Sequence, residues 1–187
     1  MKYGMTLSAV IVCLFIARTG QAEDVRGGSV NLDLSLLVEQ ETCAMTLVTP
    51  DSMSFANVRA SDLKAPGVIE RLAAKTISLN LTGCSGGRIA GQTPAIMVSG
   101  NTYNGYPTLF RDDSSTAQGA IGFRIRYQSP QGVPGEPLTD QQYVDLSGAG
   151  DVPEDGLQNF LVDMQYGGGE WTTGGIISTF RFTFLYH

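Results

Sequence analysis

A chain of 187 residues is long enough for one domain with a sizeable core. Its 12 Lys and Arg stand against 18 Asp and Glu, a net charge of −6. That balance argues against binding to nucleic acid or to anionic membrane surfaces, both of which reward clustered cations.

Residues 1–22 read as a secretory signal. Lys2 supplies the positive start, Leu7 to Ile16 the apolar centre, and Gly20-Gln-Ala22 a small-residue cleavage site. The apolar run is too short to span a bilayer comfortably, so no membrane insertion is expected. Cys13 lies inside the apolar centre and not at its end, which disfavours a lipid-anchored cysteine. Cleavage after Ala22 leaves Cys43 and Cys84 as the remaining cysteines. An exported chain meets an oxidising compartment, so these two are expected to pair. A zinc site would need four ligands, and the sole histidine, His187, is remote in sequence.

After a polar leader, Gly28 to Leu36 alternates cleanly. Val30, Leu32, Leu34 and Leu36 share one face, and Ser29, Asn31, Asp33 and Ser35 share the other. The alternation breaks at Leu36-Leu37-Val38, which signals a bend or the start of a strand buried on both sides. Short strands and turns are expected over 44–61, with Thr49-Pro-Asp-Ser52 as a turn and one helical turn at Ser61-Asp-Leu-Lys64. Lys75 to Cys84 alternates again, with Ile77, Leu79 and Leu81 on one face; its Asn80-Leu-Thr82 matches a glycosylation pattern but reads as strand polarity. Pro94 to Ser99 reads as a strand and Gly100 to Tyr106 as a polar turn. Ala120 to Tyr127 puts Ile121, Phe123, Ile125 and Tyr127 inward. Ser129 to Pro137, rich in Pro and Gly, is expected to be loop; Tyr143–Ser147 and Gln158–Tyr166 are expected strands.

The last fourteen residues, Gly174 to His187, carry the strongest pattern. Ile176, Phe180, Phe182, Phe184 and Tyr186 share one parity, while Thr179, Arg181 and Thr183 hold the other. In a helix the three Phe would spread around the cylinder, so this is a strand with an aromatic face. So apolar a strand needs a partner, because an exposed edge of this kind invites aggregation. Short strands at turn-punctuated intervals through a chain of this size indicate an all-β sandwich.

Catalytic chemistry lacks residues. With no internal histidine and no spare cysteine, Ser-His and Cys-His catalysis are excluded by supply. Asp112-Asp113 and Glu154-Asp155 are adjacent pairs whose side chains diverge, and they read as solvated loop charges. Gly167-Gly-Gly169 lacks the following Lys-Ser/Thr of a phosphate loop. Trp171 could stack on a sugar, but a lone Trp is ordinarily a core or rim residue. No enzymatic role, metal or cofactor is expected.

Together these features resemble the subunits of chaperone–usher fimbriae, especially type 1-like pilins. The C-terminus has the penultimate tyrosine, Tyr186, alternating Phe184, Phe182 and Phe180 before it, and Gly174 fourteen places from the end. The N-terminus, with Gly28, Val30, Leu32 and Leu34 in one register, looks like a pilin donor strand. Cys43 and Cys84 sit where the family's disulfide does. One departure is the Ser35-Leu36-Leu37 that replaces a glycine common between donor strand and first domain strand.

The resemblance implies an incomplete immunoglobulin-like β-sandwich, completed by a donor strand from a neighbouring subunit. It divides the chain into a signal (1–22), a donor-strand extension (23–36) and a pilin domain (37–187). It implies a structural subunit polymerising by donor-strand exchange and supporting bacterial adhesion. The implied partners are a periplasmic pilus chaperone, an outer-membrane usher and neighbouring pilin subunits, along an export route through the periplasm to the cell surface. The terminal strand would be the one the chaperone grips. Two other readings remain: a minor adaptor or tip subunit with weak glycan binding, and a self-contained periplasmic sandwich.

Overall fold

The structure, a computed structural model, describes residues 43–84 and 90–187. The expected signal and the donor-strand extension, with Gly28, Val30, Leu32 and Leu34, lie outside the described residues. In chain order the strands are β1 (Ala44–Leu47), β2 (Gly67–Val68), β3 (Lys75–Thr82), β4 (Pro94–Ser99), β5 (Thr102–Tyr103) and β6 (Tyr106–Phe110). They continue with β7 (Ile121–Gln128), β8 (Pro134–Pro137), β9 (Gln142–Asp145), β10 (Gly156–Tyr166) and β11 (Arg181–Tyr186). A 3-10 turn at Ala60–Leu63 meets the expected helical turn, and no α-helix occurs among the described residues.

The larger sheet runs β1-β3-β10-β7-β6-β5, and the smaller β11-β4-β9. All pairings are antiparallel, as short connections allow. β10 is the long central strand. It pairs β3 from Gly156 to Val162, and β2 takes over the same edge at Gln165 and Tyr166. The alternation in β3, β7 and β10 delivers Leu79, Ile125, Phe160 and Val162 to a core shared with Ile96 and Val98 of β4. The Phe160 and Phe182 rings, 5.0 Å apart, span the two sheets. Burying each such side chain is worth about 1.5–3 kcal/mol, which is what holds one sheet on the other.

Three expectations need correction. Ser129 to Pro137 is not all loop, because Pro134–Pro137 forms β8 on the edge of β7. Proline is tolerated there because an edge strand need not donate outward. Gly100 to Tyr106 is not all turn, because Thr102–Tyr103 forms β5, and it pairs with β6 at Tyr106–Phe110, hidden in the sequence by its Pro107 and short length. The terminal strand is shorter than its alternation suggested: only Arg181–Tyr186 joins a sheet, and 174–180 lies outside any strand.

Candidate functional site

β11 lies at the edge of the smaller sheet, hydrogen-bonded to β4 alone. Its register fixes which backbone groups are used. His187 and Thr93 exchange both bonds, N–H to O at 3.1 and 2.9 Å. Antiparallel pairs alternate, so Leu185, Thr183 and Arg181 also bond β4, while Phe182, Phe184 and Tyr186 turn their N–H and C=O groups outward. The same alternation continues upstream against the loop 112–117. Asp112 N donates to Ile177 O at 2.8 Å, Thr116 N to Gly175 O at 2.9 Å, and Ile177 N to Ser115 Oγ at 3.0 Å. Asp112 accepts from Thr179 N and Thr179 Oγ1 at 3.2 and 2.7 Å. No hydrogen bond to the backbone of Ile176, Ser178 or Phe180 occurs among the described residues. An open edge therefore runs from Ile176 to Tyr186.

Beneath that edge lies a groove of about 980 Å³. Leu47, Phe55 and Val58 form one wall, Ile77, Phe123 and Val162 the floor, and Ile176, Phe180 and Phe182 the other wall. Leu47 shows how open it is. It pairs with Leu79 and so faces the core side of the sheet, yet it is 47% exposed while Leu79 is 3% exposed. Phe180, Phe182 and Phe184 all pack against the core but are only half-buried. A sandwich with both sheets complete would cover these side chains.

An arginine stands behind each wall. On the Phe55 side, Arg71 donates to Asn57 O at 2.7 Å and bridges to Asp62 at 2.6 Å. The Arg71 donors, then the Arg59 N–H, lower the Asp62 pKa from 3.8 to about 2. On the other side Arg111 donates to the carbonyls of Ala117, Gly119 and Ile121. Gly174 sits where its backbone meets that of Ala117, and an added Cβ would collide with the Ala117 N and Cα. The space admits only glycine.

Cys43 and Cys84 form a disulfide, 4.3 Å between Cα atoms, at the ends of β1 and β3. One carboxylate of each adjacent pair is occupied by hydrogen bonds. Asp112 serves Thr179, and Asp155 accepts from Gly83 N and Cys84 N at 3.1 and 2.9 Å. Trp171 packs against a second buried cluster, formed by Leu63, Ile69, Leu72, Ile121, Met164 and Tyr166, and lines the groove. Tyr186 meets Phe184 edge-on at 5.6 Å, and His187 stacks on Tyr143 at 4.3 Å with its ring nitrogen 2.9 Å from Asp145. The sequence did not point to Leu47, Phe55 or Arg111. Leu47 alone carried a signal, an apolar residue at the end of a short strand next to a turn.

No curated protein matches the sequence. The structure is similar to the crystal structure of the P pilus rod subunit PapA, with a TM-score of 0.53 and 14% identity, over 80% of this chain and 95% of that one. It is also similar to the CupB6 tip adhesin from Pseudomonas aeruginosa, with a TM-score of 0.47 and 17% identity, over 80% of this chain and 46% of that one. The likeness to PapA is one of fold. The fimbrial protein family matches residues 30–183. With most of its length matched, this chain belongs to the fimbrial protein family.

Proposed function

We propose that this fimbrial subunit polymerises by donor-strand exchange, taking an extended apolar strand from a neighbouring subunit into the groove beside β11. The observation that carries the reading is the open backbone edge from Ile176 to Tyr186 above half-buried Phe180, Phe182 and Phe184. Unpaired backbone groups beside exposed apolar surface are costly unless a partner covers both. A strand with alternating apolar side chains does both at once, and strand addition of this kind is an established mode of pilin assembly.

The alternating residues Gly28, Val30, Leu32 and Leu34 of a second copy suit the groove. Each buried Val or Leu is worth about 1.5–3 kcal/mol. A periplasmic pilus chaperone supplies the strand before assembly and an outer-membrane usher oversees the exchange. The assembled chain supports adhesion from the cell surface. Deleting residues 23–34 leaves a subunit that still accepts a strand but cannot donate one. Its complex with the chaperone persists, and detergent-resistant ladders on an unheated gel disappear. Pili of normal length built from the truncated chain would refute the proposal.

A further inference from the structure

The acceptor edge is longer than the strand that forms it. β11 covers Arg181–Tyr186, but the open edge continues to Ile176 because residues 175, 177 and 179 spend their backbone groups on the loop 112–117. That loop has no sheet of its own to hold it. Thr172 and Thr179 bond to it at Gln118 and Asp112, and one buried charged side chain reaches its far end. Arg111, 7% exposed, donates to the carbonyls of Ala117, Gly119 and Ile121, the last two at 2.6 and 3.3 Å. Its guanidinium lies 5.1 Å from the Tyr103 ring centroid. No carboxylate pairs with it among the described residues.

Burying a cation without a carboxylate is expensive, so its charge has to be met by the carbonyl dipoles and the ring face. A neutral side chain could fill the same space. It could not tie the loop carbonyls of Ala117 and Gly119 to that of Ile121 at the start of β7, which the planar fork of five N–H groups does.

We infer that Arg111 is a positioning residue for strand capture, holding the loop 112–120 in the shape that extends the acceptor edge from Arg181 back to Ile176. The inference rests on the strand-uptake reading above and adds to it a longer ladder and a residue that sets its length. The incoming strand pairs with Ile176, Ser178 and Phe180 as well as with Phe182, Phe184 and Tyr186. Ser178 Oγ, buried without a partner, lies on this extension.

The test is residue-resolved hydrogen exchange on the full chain refolded with excess synthetic peptide of residues 23–36. In the unaltered chain the peptide protects the amides of all six even-numbered residues from 176 to 186. In Arg111→Met, protection at Ile176, Ser178 and Phe180 is lost while Phe182, Phe184 and Tyr186 keep theirs. The peptide then leaves faster by at least about tenfold, the effect of three lost net hydrogen bonds. Arg111→Lys, which keeps the charge but not the fork, falls between. If Arg111→Met does not fold, Arg111→Lys carries the arginine arm, and the surface double variant Ser115→Ala, Thr116→Val tests whether the loop holds the extension, since it removes side-chain bonds to Ile177 and Gly175. Equal losses at all six amides, or no loss at Ile176, Ser178 and Phe180, would overturn the inference. So would protection confined to Phe182, Phe184 and Tyr186 in the unaltered chain, with strand uptake itself intact. Protection at none of the six would overturn strand uptake and this inference together.

Discussion

Asp163 is 2% exposed and accepts from Arg124 Nε and Nη2 at 2.9 and 3.0 Å and from Arg126 Nη2 at 2.9 Å. Both arginines are themselves mostly covered, so the carboxylate neutralises charge in a site that water screens poorly. Asp163→Asn keeps the shape and leaves two guanidinium groups facing each other, at a cost of about 3–5 kcal/mol. Urea unfolding of the strand-complemented subunit measures it, and a loss under about 1 kcal/mol would show the pair to be dispensable. Asp62 offers a pH-dependent counterpart. Its pKa is depressed in the folded chain, from 3.8 to about 2, first by the Arg71 donors and then by the Arg59 N–H. A depressed carboxyl stabilises the fold fully above its unfolded value, and that stabilisation fades as pH falls through the folded value. The melting temperature of Asp62→Asn should therefore lie below that of the unaltered chain at pH 5. The gap should close by about pH 2. A gap that is constant with pH would place the effect elsewhere.

At the scale of the element, β11 joins two requirements in one short strand. Its odd residues complete the ladder to β4, and its even residues supply both the aromatic wall and the open edge. Phe182 and Phe184 are only half-buried in the lone chain, so under the proposed strand uptake part of their burial waits for the partner strand. Replacing both with Ser removes roughly 3–6 kcal/mol of possible burial. The share lost should be larger in the strand-complemented subunit than in the free one. Soluble levels should collapse even when the chaperone is co-expressed, and unchanged levels would count against the aromatic face as the gripping surface. The disulfide constrains the opposite wall. Cys43 and Cys84 enclose 49–59 in a loop with a sequence separation of 41, a closure worth roughly 4 kcal/mol on the chain-entropy account. Reduction should lower the stability of the complemented subunit by about that amount, read from urea midpoints with and without reductant.

For the whole molecule the governing fact is that two sheets share a core which the described residues leave open along one side. Stability of a small domain is only about 5–15 kcal/mol, so a partly uncovered groove and an unpaired edge take a large fraction of it. The full chain refolded alone should aggregate or melt broadly, and excess peptide of residues 23–36 should restore one cooperative transition. A soluble, cooperative and stable monomer with no added strand would mean the sandwich is already complete.

Strands β3, β7 and β10 were legible from the sequence because Ile, Leu, Phe and Val recur every second residue, and only a half-buried strand makes that pattern. The same logic exposed the aromatic parity of Phe180, Phe182, Phe184 and Tyr186, and Cys43 and Cys84, the cysteines outside the expected signal, pointed to each other. Periodicity reports which face a residue takes, not which strand lies beside it. The sequence thus overran the true start of β11 at Arg181 and passed over β6 and β8, two short strands masked by their prolines. Gly174 was recognisable as a marker but not explicable, since its reason is the Ala117 backbone pressed against it. The groove itself joins Leu47, Phe55, Phe123 and Ile176, residues far apart in the chain, and Arg111 acts through three carbonyls that only the folded loop brings together. Alternation is a local property and was written in the sequence; the open edge and its support depend on long-range contacts, and only the tertiary structure decided them.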